Sequence, residues 1–112
     1  MNPSKDLVAA SSIPLVLSIL TRGDSYGYEI IRTVEELSGG RWMWSEGMLY
    51  PILHKLEEAG WISSWWQPVA GKRKRKYYRI EPAGRQALLD QRYQWLQVHG
   101  ILEQTWPKES GI

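Results

Sequence analysis

The sequence predicts a mainly α-helical protein with a small β-hairpin and a long C-terminal helix. Apolar residues recur at helical spacing in three segments of the first half of the chain. The spacing changes to every second residue between residues 61 and 80, which is typical of two strands, and becomes helical again after Pro82. A length of 112 residues favours one domain with one small core.

The first two helices are predicted over residues 5–21 and 26–37. Pro14 interrupts the first pattern, and Ser11 or Ser12 could cap a new helix whose first turn contains this proline. We therefore expect a kinked or two-part first helix. An Arg-Gly-Asp-Ser turn separates the two helices, and a Ser-Gly-Gly run ends the second.

The third helix is predicted to begin after Ser45, which suits the N-cap position, and to end near Gly60. Its apolar stripe consists of Leu49, Ile52, Leu53 and Leu56. The opposite face carries Gly47, Tyr50, Pro51, His54, Lys55 and Glu58. Pro51 removes one backbone hydrogen bond, but this close to the helix start the freed carbonyl can meet water or a ligand. The helix is thus expected to pack through its leucines and to present a face of small and polar residues outward.

The two strands are predicted over residues 61–67 and 74–80, joined by a loop over residues 67–73. The basic charge of the chain concentrates here, because six Lys and Arg and no acid lie between Lys72 and Arg79. The other eight of the 14 basic residues are outnumbered by the 12 acidic residues. A basic segment on an acidic body indicates a localised contact with a polyanion, the alternative being a solvated hairpin tip.

The last helix is predicted over residues 82–106, followed by a tail over residues 107–112. Its apolar residues are spread too widely around the helix for a single stripe. A helix of about 24 residues extends about 36 Å, more than the diameter of a small domain. We expect a second copy of the chain to cover the excess apolar surface. Residues 1–81 then form the domain that contacts the polyanion, and the last helix forms the dimer contact.

The order of three helices, a basic hairpin and a long helix is that of a winged helix-turn-helix. In this architecture the third helix enters the major groove of DNA, while the cations of the hairpin lie along phosphates or reach a minor groove. Binding of double-stranded DNA accounts for both the concentrated charge and the polar face of the third helix.

Three blocks of the sequence carry a resemblance to a known family. SYGYEIIRTVEE, MLYPILHKLEEAGWISS and RKYYRIEPAGRQAL resemble the signature blocks of PadR-family transcriptional regulators in order and spacing. The resemblance covers nearly the whole chain. It points to the short members of the family, in which a single C-terminal helix follows the basic hairpin, called the wing. These short members include proteins that bind multiple drugs. The resemblance implies a homodimeric repressor that leaves its operator when a small effector binds.

The resemblance also implies roles for individual residues. In the recognition helix it assigns DNA contacts to Ser45, Gly47, Met48, Tyr50, Pro51, His54 and Lys55, with the Tyr50 hydroxyl on the DNA backbone. In the wing it assigns them to Lys72, Arg73, Lys74, Arg75 and Lys76. The sequence departs from the family pattern at Met48, where a small hydroxyl residue is usual. It also departs in the aromatic cluster of Trp42, Trp44, Trp61, Trp65 and Trp66.

In short family members a Trp on the last helix lines an effector pocket at the two-fold axis. Trp95 occupies this position, sixteen residues after the Arg of the Tyr-Tyr-Arg motif. The resemblance therefore implies a small aromatic or drug-like effector near Trp95, although this side chain could equally fill the dimer core. The residues expected at this interface are Tyr93, Trp95, Leu96, His99 and Leu102.

Other classes of function find little support in the sequence. The chain has no Cys and two distant His, and it lacks a glycine-rich phosphate loop and a nucleophile motif, so we expect no enzyme, metal site or cofactor. A winged helix that binds protein instead of DNA is the alternative, and it would show no salt-sensitive DNA binding. No apolar run is long enough to span a bilayer, and the N-terminus lacks the layout of a signal peptide, so we expect a cytoplasmic protein.

Overall fold

The computed structural model describes residues 4–107, which form four helices and one three-stranded antiparallel sheet. The helices are α1 (Lys5–Thr21), α2 (Gly27–Leu37), α3 (Glu46–Glu58) and α4 (Pro82–Thr105). The strands are β1 (Ser25–Tyr26), β2 (Ile62–Val69) and β3 (Lys72–Ile80), in the order β1-β3-β2. The predicted winged helix-turn-helix with a long last helix is confirmed.

One hydrophobic core lies between the first three helices and one face of the sheet. Its buried residues are Val16, Leu17, Ile19, Leu20, Ile30, Val34, Trp44, Leu49, Leu53, Leu56, Ile62, Tyr78 and Ile80. Three of the four residues of the predicted α3 stripe belong to this core, whereas Ile52 is half-buried at its edge. The leucines of α3 therefore fix the helix on the domain and leave its opposite face free.

Helix α1 is continuous through Pro14, so of the two expected alternatives, a kinked or a two-part helix, the two-part helix is wrong. Ser4 caps the helix, because its Oγ accepts a hydrogen bond from the Leu7 N–H at 3.2 Å. Ser11, one of the residues expected to cap a second helix, instead donates to the Leu7 carbonyl at 2.9 Å. Pro14 deprives the Ala10 carbonyl of its helical donor, but Ala10 is exposed and its carbonyl can bond to water. Burial of the following turns then keeps the helix intact.

The chain before α2 forms the short strand β1, whose second residue, Tyr26, is the N-cap residue of α2 and makes no side-chain capping hydrogen bond. Ser25 pairs with Tyr78 and Tyr26 pairs with Tyr77, so β1 adds a third strand beside β3. The hydroxyl of Ser25 donates to the Glu29 carboxylate at 2.6 Å. This pairing joins segments that are far apart in the sequence, which is why the local pattern gave no sign of it.

The connection between β2 and β3 is shorter than predicted. Residues 70 and 71 form the turn, and Gly71 has φ +71°, a conformation that glycine adopts at little cost. The register shifts between Gln67 and Val69, where one residue of β2 stands opposite the two residues Arg73 and Lys74, so the bulge lies in β3. The basic residues expected in a loop therefore lie in β3.

Helix α4 begins at Pro82, where it lies against Trp61 and Ile80, and it also packs against α1. Gly84 is the one fully buried residue among its 24 residues. Large apolar side chains farther along the helix are exposed, namely Leu89, Tyr93, Leu96, Val98, Ile101, Leu102 and Trp106. Within residues 4–107 no helix is both long and apolar enough to cross a membrane.

Candidate nucleic-acid interface

The recognition helix α3 starts as the sequence predicts. The Oγ of Ser45 accepts a hydrogen bond from the Met48 N–H at 3.2 Å, which satisfies one of the free donors of the first turn. Pro51 leaves the Gly47 carbonyl without its helical donor, and both residues are exposed. The first turns of α3 thus present backbone polar groups and little side-chain bulk to the outside.

Six of the seven α3 residues expected to contact DNA are exposed, namely Ser45, Gly47, Tyr50, Pro51, His54 and Lys55. The seventh, Met48, is half-buried and packs against the core. The imidazole Nε2 of His54 lies 3.3 Å from a carboxylate oxygen of Glu58, one turn later. Met48 therefore helps to pack α3 against the core, while the other six residues form the accessible surface.

A cleft of about 610 Å³ separates the wing from the helix-turn-helix. All five cations expected in the wing, residues 72–76, line this cleft together with Tyr50 and Glu46 of α3. Tyr50 is 45% exposed, and its hydroxyl lies against Gly27 at the start of α2. The structure therefore brings the predicted wing residues and the first turns of α3 to the borders of one cleft.

Lysine and arginine lie on opposite faces in the second half of β3. Because side chains alternate on a strand beyond the bulge, Lys76 shares a face with buried Tyr78, while Arg75 and Arg79 share the face of Tyr77. Lys76 is half-buried, and its Nζ lies 3.7 Å from the Glu57 carboxylate, so it ties the wing to α3.

Glu57 also organises the surroundings of Tyr78. Its carboxylate accepts a hydrogen bond from the Ser64 hydroxyl at 2.7 Å. Burial, with smaller contributions from the Glu57 charge and from Tyr50, raises the pKa of Tyr78 to about 12.

Arg79, the last cation of the run, is held by a carboxylate. Its Nε and Nη2 donate to the two oxygens of Asp24 at 3.1 Å and 2.8 Å, and its guanidinium lies 4.8 Å from the centre of the Trp65 ring. This hydrogen bonding holds the pKa of the Asp24 carboxyl below its usual range. Sequence reasoning missed Asp24, because its contact with Arg79 depends on the pairing of β1 with β3.

A second and larger groove, of about 1160 Å³, runs between α1, the end of α2 and α4. Its apolar lining includes Pro14, Leu15, Leu37, Trp42, Trp95 and Leu96. Tyr93, His99 and Leu102, which were expected beside Trp95, are exposed outside this lining. The structure therefore brings two of the five expected interface residues to the groove of a single chain and leaves three on the open surface of α4.

The packed helices, the exposed face of α3 and the basic wing define a protein of the winged helix-turn-helix class. A family comparison gives the particular family. The "Transcriptional regulator PadR-like family" matches residues 16–90, and the chain belongs to this family. The PadR assignment made from the three sequence blocks is confirmed, and with it the role of a transcriptional regulator.

Individual relatives agree with this assignment. The "Negative transcriptional regulator PadR" of Bacillus subtilis is 30% identical over 90 residues, which are 80% of this chain and 47% of that protein, so the chain spans about half of its length. A transcriptional regulator from Clostridium thermocellum is 27% identical with a TM-score of 0.85, over 92% of this chain and 100% of that one. A PadR family transcription regulator from Clostridium difficile R20291 is 29% identical with a TM-score of 0.74, over 84% and 96% of the two chains.

Proposed function

We propose that this regulator is a homodimeric repressor that binds a specific DNA sequence and acts in the cytoplasm. The observation that carries the proposal is the shared cleft, which is lined by all five wing cations and by Glu46 and Tyr50 from the first turns of α3. Residues 1–81 serve the DNA contact and residues 82–106 the dimer contact. Repression is proposed by likeness to the Bacillus subtilis relative, whose name describes negative regulation.

The proposed binding mode follows from this geometry. The exposed face of α3 enters the major groove. Gly47 has no side chain, so the helix backbone can lie close to the DNA there. Tyr50 and Lys55 contact phosphates beside it. The wing cations lie along the adjacent backbone. A two-fold dimer would place the two recognition helices on half-sites about 34 Å apart, or a multiple of this.

Replacing Arg73 and Arg75 with Ala should weaken binding to all DNA sequences to a similar extent. Phosphate contacts carry no sequence information, and each one lost should reduce the slope of log affinity against log salt by about 0.9. Fluorescence anisotropy with a sequence selected from a random pool and with unrelated DNA, over a salt series, measures both quantities. Arg85→Ala, an exposed cation on α4, is the matched control. A loss confined to the selected sequence would contradict the phosphate role.

We further propose that a small planar aromatic compound releases the DNA by binding beside Trp95. The apolar groove of about 1160 Å³ supports this, because it offers Trp95 and Trp42 for stacking and is large enough for a drug-sized molecule.

A planar aromatic ligand should quench the tryptophan emission of the native protein and lower its DNA affinity. Both responses should disappear in Trp95→Phe, which keeps an aromatic ring but removes the reporting indole and part of the stacking area. Titration with a panel of planar compounds, followed by fluorescence and by DNA binding, provides the measurement. Unchanged emission of the native protein across the panel would remove the effector proposal and leave Trp95 as interface packing.

A further inference from the structure

Arg75 lies on an aromatic ring supplied by the short strand β1. Its guanidinium carbon is 3.9 Å from the centre of the Tyr26 ring. Tyr26 pairs with Tyr77 across the sheet, and the two rings meet edge to face with centres 5.4 Å apart at 67°. Tyr77 in turn stacks on Trp65 of β2, with ring centres 5.9 Å apart. The Tyr26 ring beneath Arg75 is therefore part of a row of aromatic contacts that includes one residue from each of the three strands.

Arg75 differs from the other fixed cations of the wing. Arg79 also lies on an aromatic ring, but Asp24 occupies two of its donors. Lys76 lies beside the Glu57 carboxylate. Among residues 4–107, Arg75 has no carboxylate within ion-pair distance and no side-chain hydrogen bond. It is held in place by the ring while its hydrogen-bond donors stay available.

Both side chains also border the cleft that contains Tyr50 and the exposed wing lysines. A guanidinium that stacks on a ring through its flat face keeps its in-plane N–H groups free for a phosphate or a base edge. A long side chain normally loses rotamer freedom when it is fixed in a complex. Ordering it before DNA arrives removes part of that loss from the binding step.

We propose that Tyr26 is a positioning residue of the DNA interface, whose ring holds Arg75 ready to contact duplex DNA. This inference rests on the proposed function, because it requires that the wing binds DNA. It adds a residue from β1, which the sequence did not associate with binding, and it gives the third strand of the sheet a role in the wing.

A double-mutant cycle tests the proposal. Tyr26→Leu should weaken DNA binding about 3- to 10-fold in the native background. In the Arg75→Ala background the same change should have no further effect, because the side chain that the ring positions is already gone. Tyr26→Phe keeps the ring and should bind like the native protein. Anisotropy with the selected DNA gives the affinities, and thermal unfolding shows that each variant is folded.

Two outcomes would overturn the proposal: an equal loss from Tyr26→Leu in both backgrounds, which indicates a general structural effect, or no loss in the native background. If Tyr26→Leu does not fold, Arg75→Lys replaces it, because lysine keeps the charge but loses the planar stacking. A 3- to 10-fold weaker affinity is again expected, and native affinity would overturn the inference. Failure of the proposed function is distinguishable, since the native protein would then show no salt-sensitive binding to any DNA.

Discussion

Replacing Leu96 with Glu is expected to convert the proposed dimer into monomers. Leu96 is 60% exposed in the single chain, so a charge there leaves the monomer fold intact. In the proposed dimer the same position is covered, and an uncompensated buried charge costs several kcal/mol. Each 1.4 kcal/mol corresponds to a factor of ten, so the dimer dissociation constant should rise at least about 100-fold.

Sedimentation over a concentration series measures this change, and DNA binding follows it. A monomer presents one recognition helix instead of two, so affinity for a two-fold symmetric site should fall together with dimerisation. Gln97→Glu introduces the same carboxylate at the neighbouring exposed, polar position and is the matched control. A native protein that sediments as a monomer at micromolar concentration, or a Leu96→Glu variant that remains dimeric, would refute the proposed interface.

Replacing Gly84 with Ala is expected to lower the free energy of unfolding by about 2–3 kcal/mol, as overpacking of a filled site does. A Cβ at this position would overlap the Trp61 carbonyl oxygen and stand 2.9 Å from Cγ1 of Ile80. The Trp61 carbonyl cannot simply move aside, because it accepts a hydrogen bond from the Glu81 N–H at 2.9 Å. The variant must therefore either break this hydrogen bond or move α4 away from Trp61.

Urea unfolding in the Leu96→Glu background measures this effect apart from dimer stability, which depends on concentration. Gly100→Ala is the control within the same helix, because nothing lies within 4 Å of a Cβ added there. It should leave stability unchanged or raise it by up to about 1 kcal/mol through helix propensity. If Gly84→Ala were as stable as the parent, the close approach of α4 to Trp61 would be wrong.

The elements that follow from local signals could be predicted well. Ser45 caps α3 as expected, and Leu49, Leu53 and Leu56 are buried together because they recur at helical spacing. The glycine of the EPAGR segment was visible as part of a family pattern. Its physical reason, the contact with the Trp61 carbonyl, required the packed structure.

Features that depend on distant contacts could not be predicted. Pro14 was expected to kink α1 or to divide it in two, and the helix is not divided, because the residues buried after Pro14 keep it continuous. Strand β1 has two residues and exists through its pairing with β3. The same pairing brings Tyr26 to Arg75 and Asp24 to Arg79, so the partners of two wing cations were hidden from the sequence pattern.

The contact at Gly84 joins α4 closely to the wing. The helix backbone lies directly against Trp61, the residue that leads into β2, and a single residue connects β3 to α4. Over about 36 Å of helix, a tilt of about 5° displaces the far end by about 3 Å. In the proposed dimer, a molecule that displaced each far end by this distance would turn each wing through a similar angle.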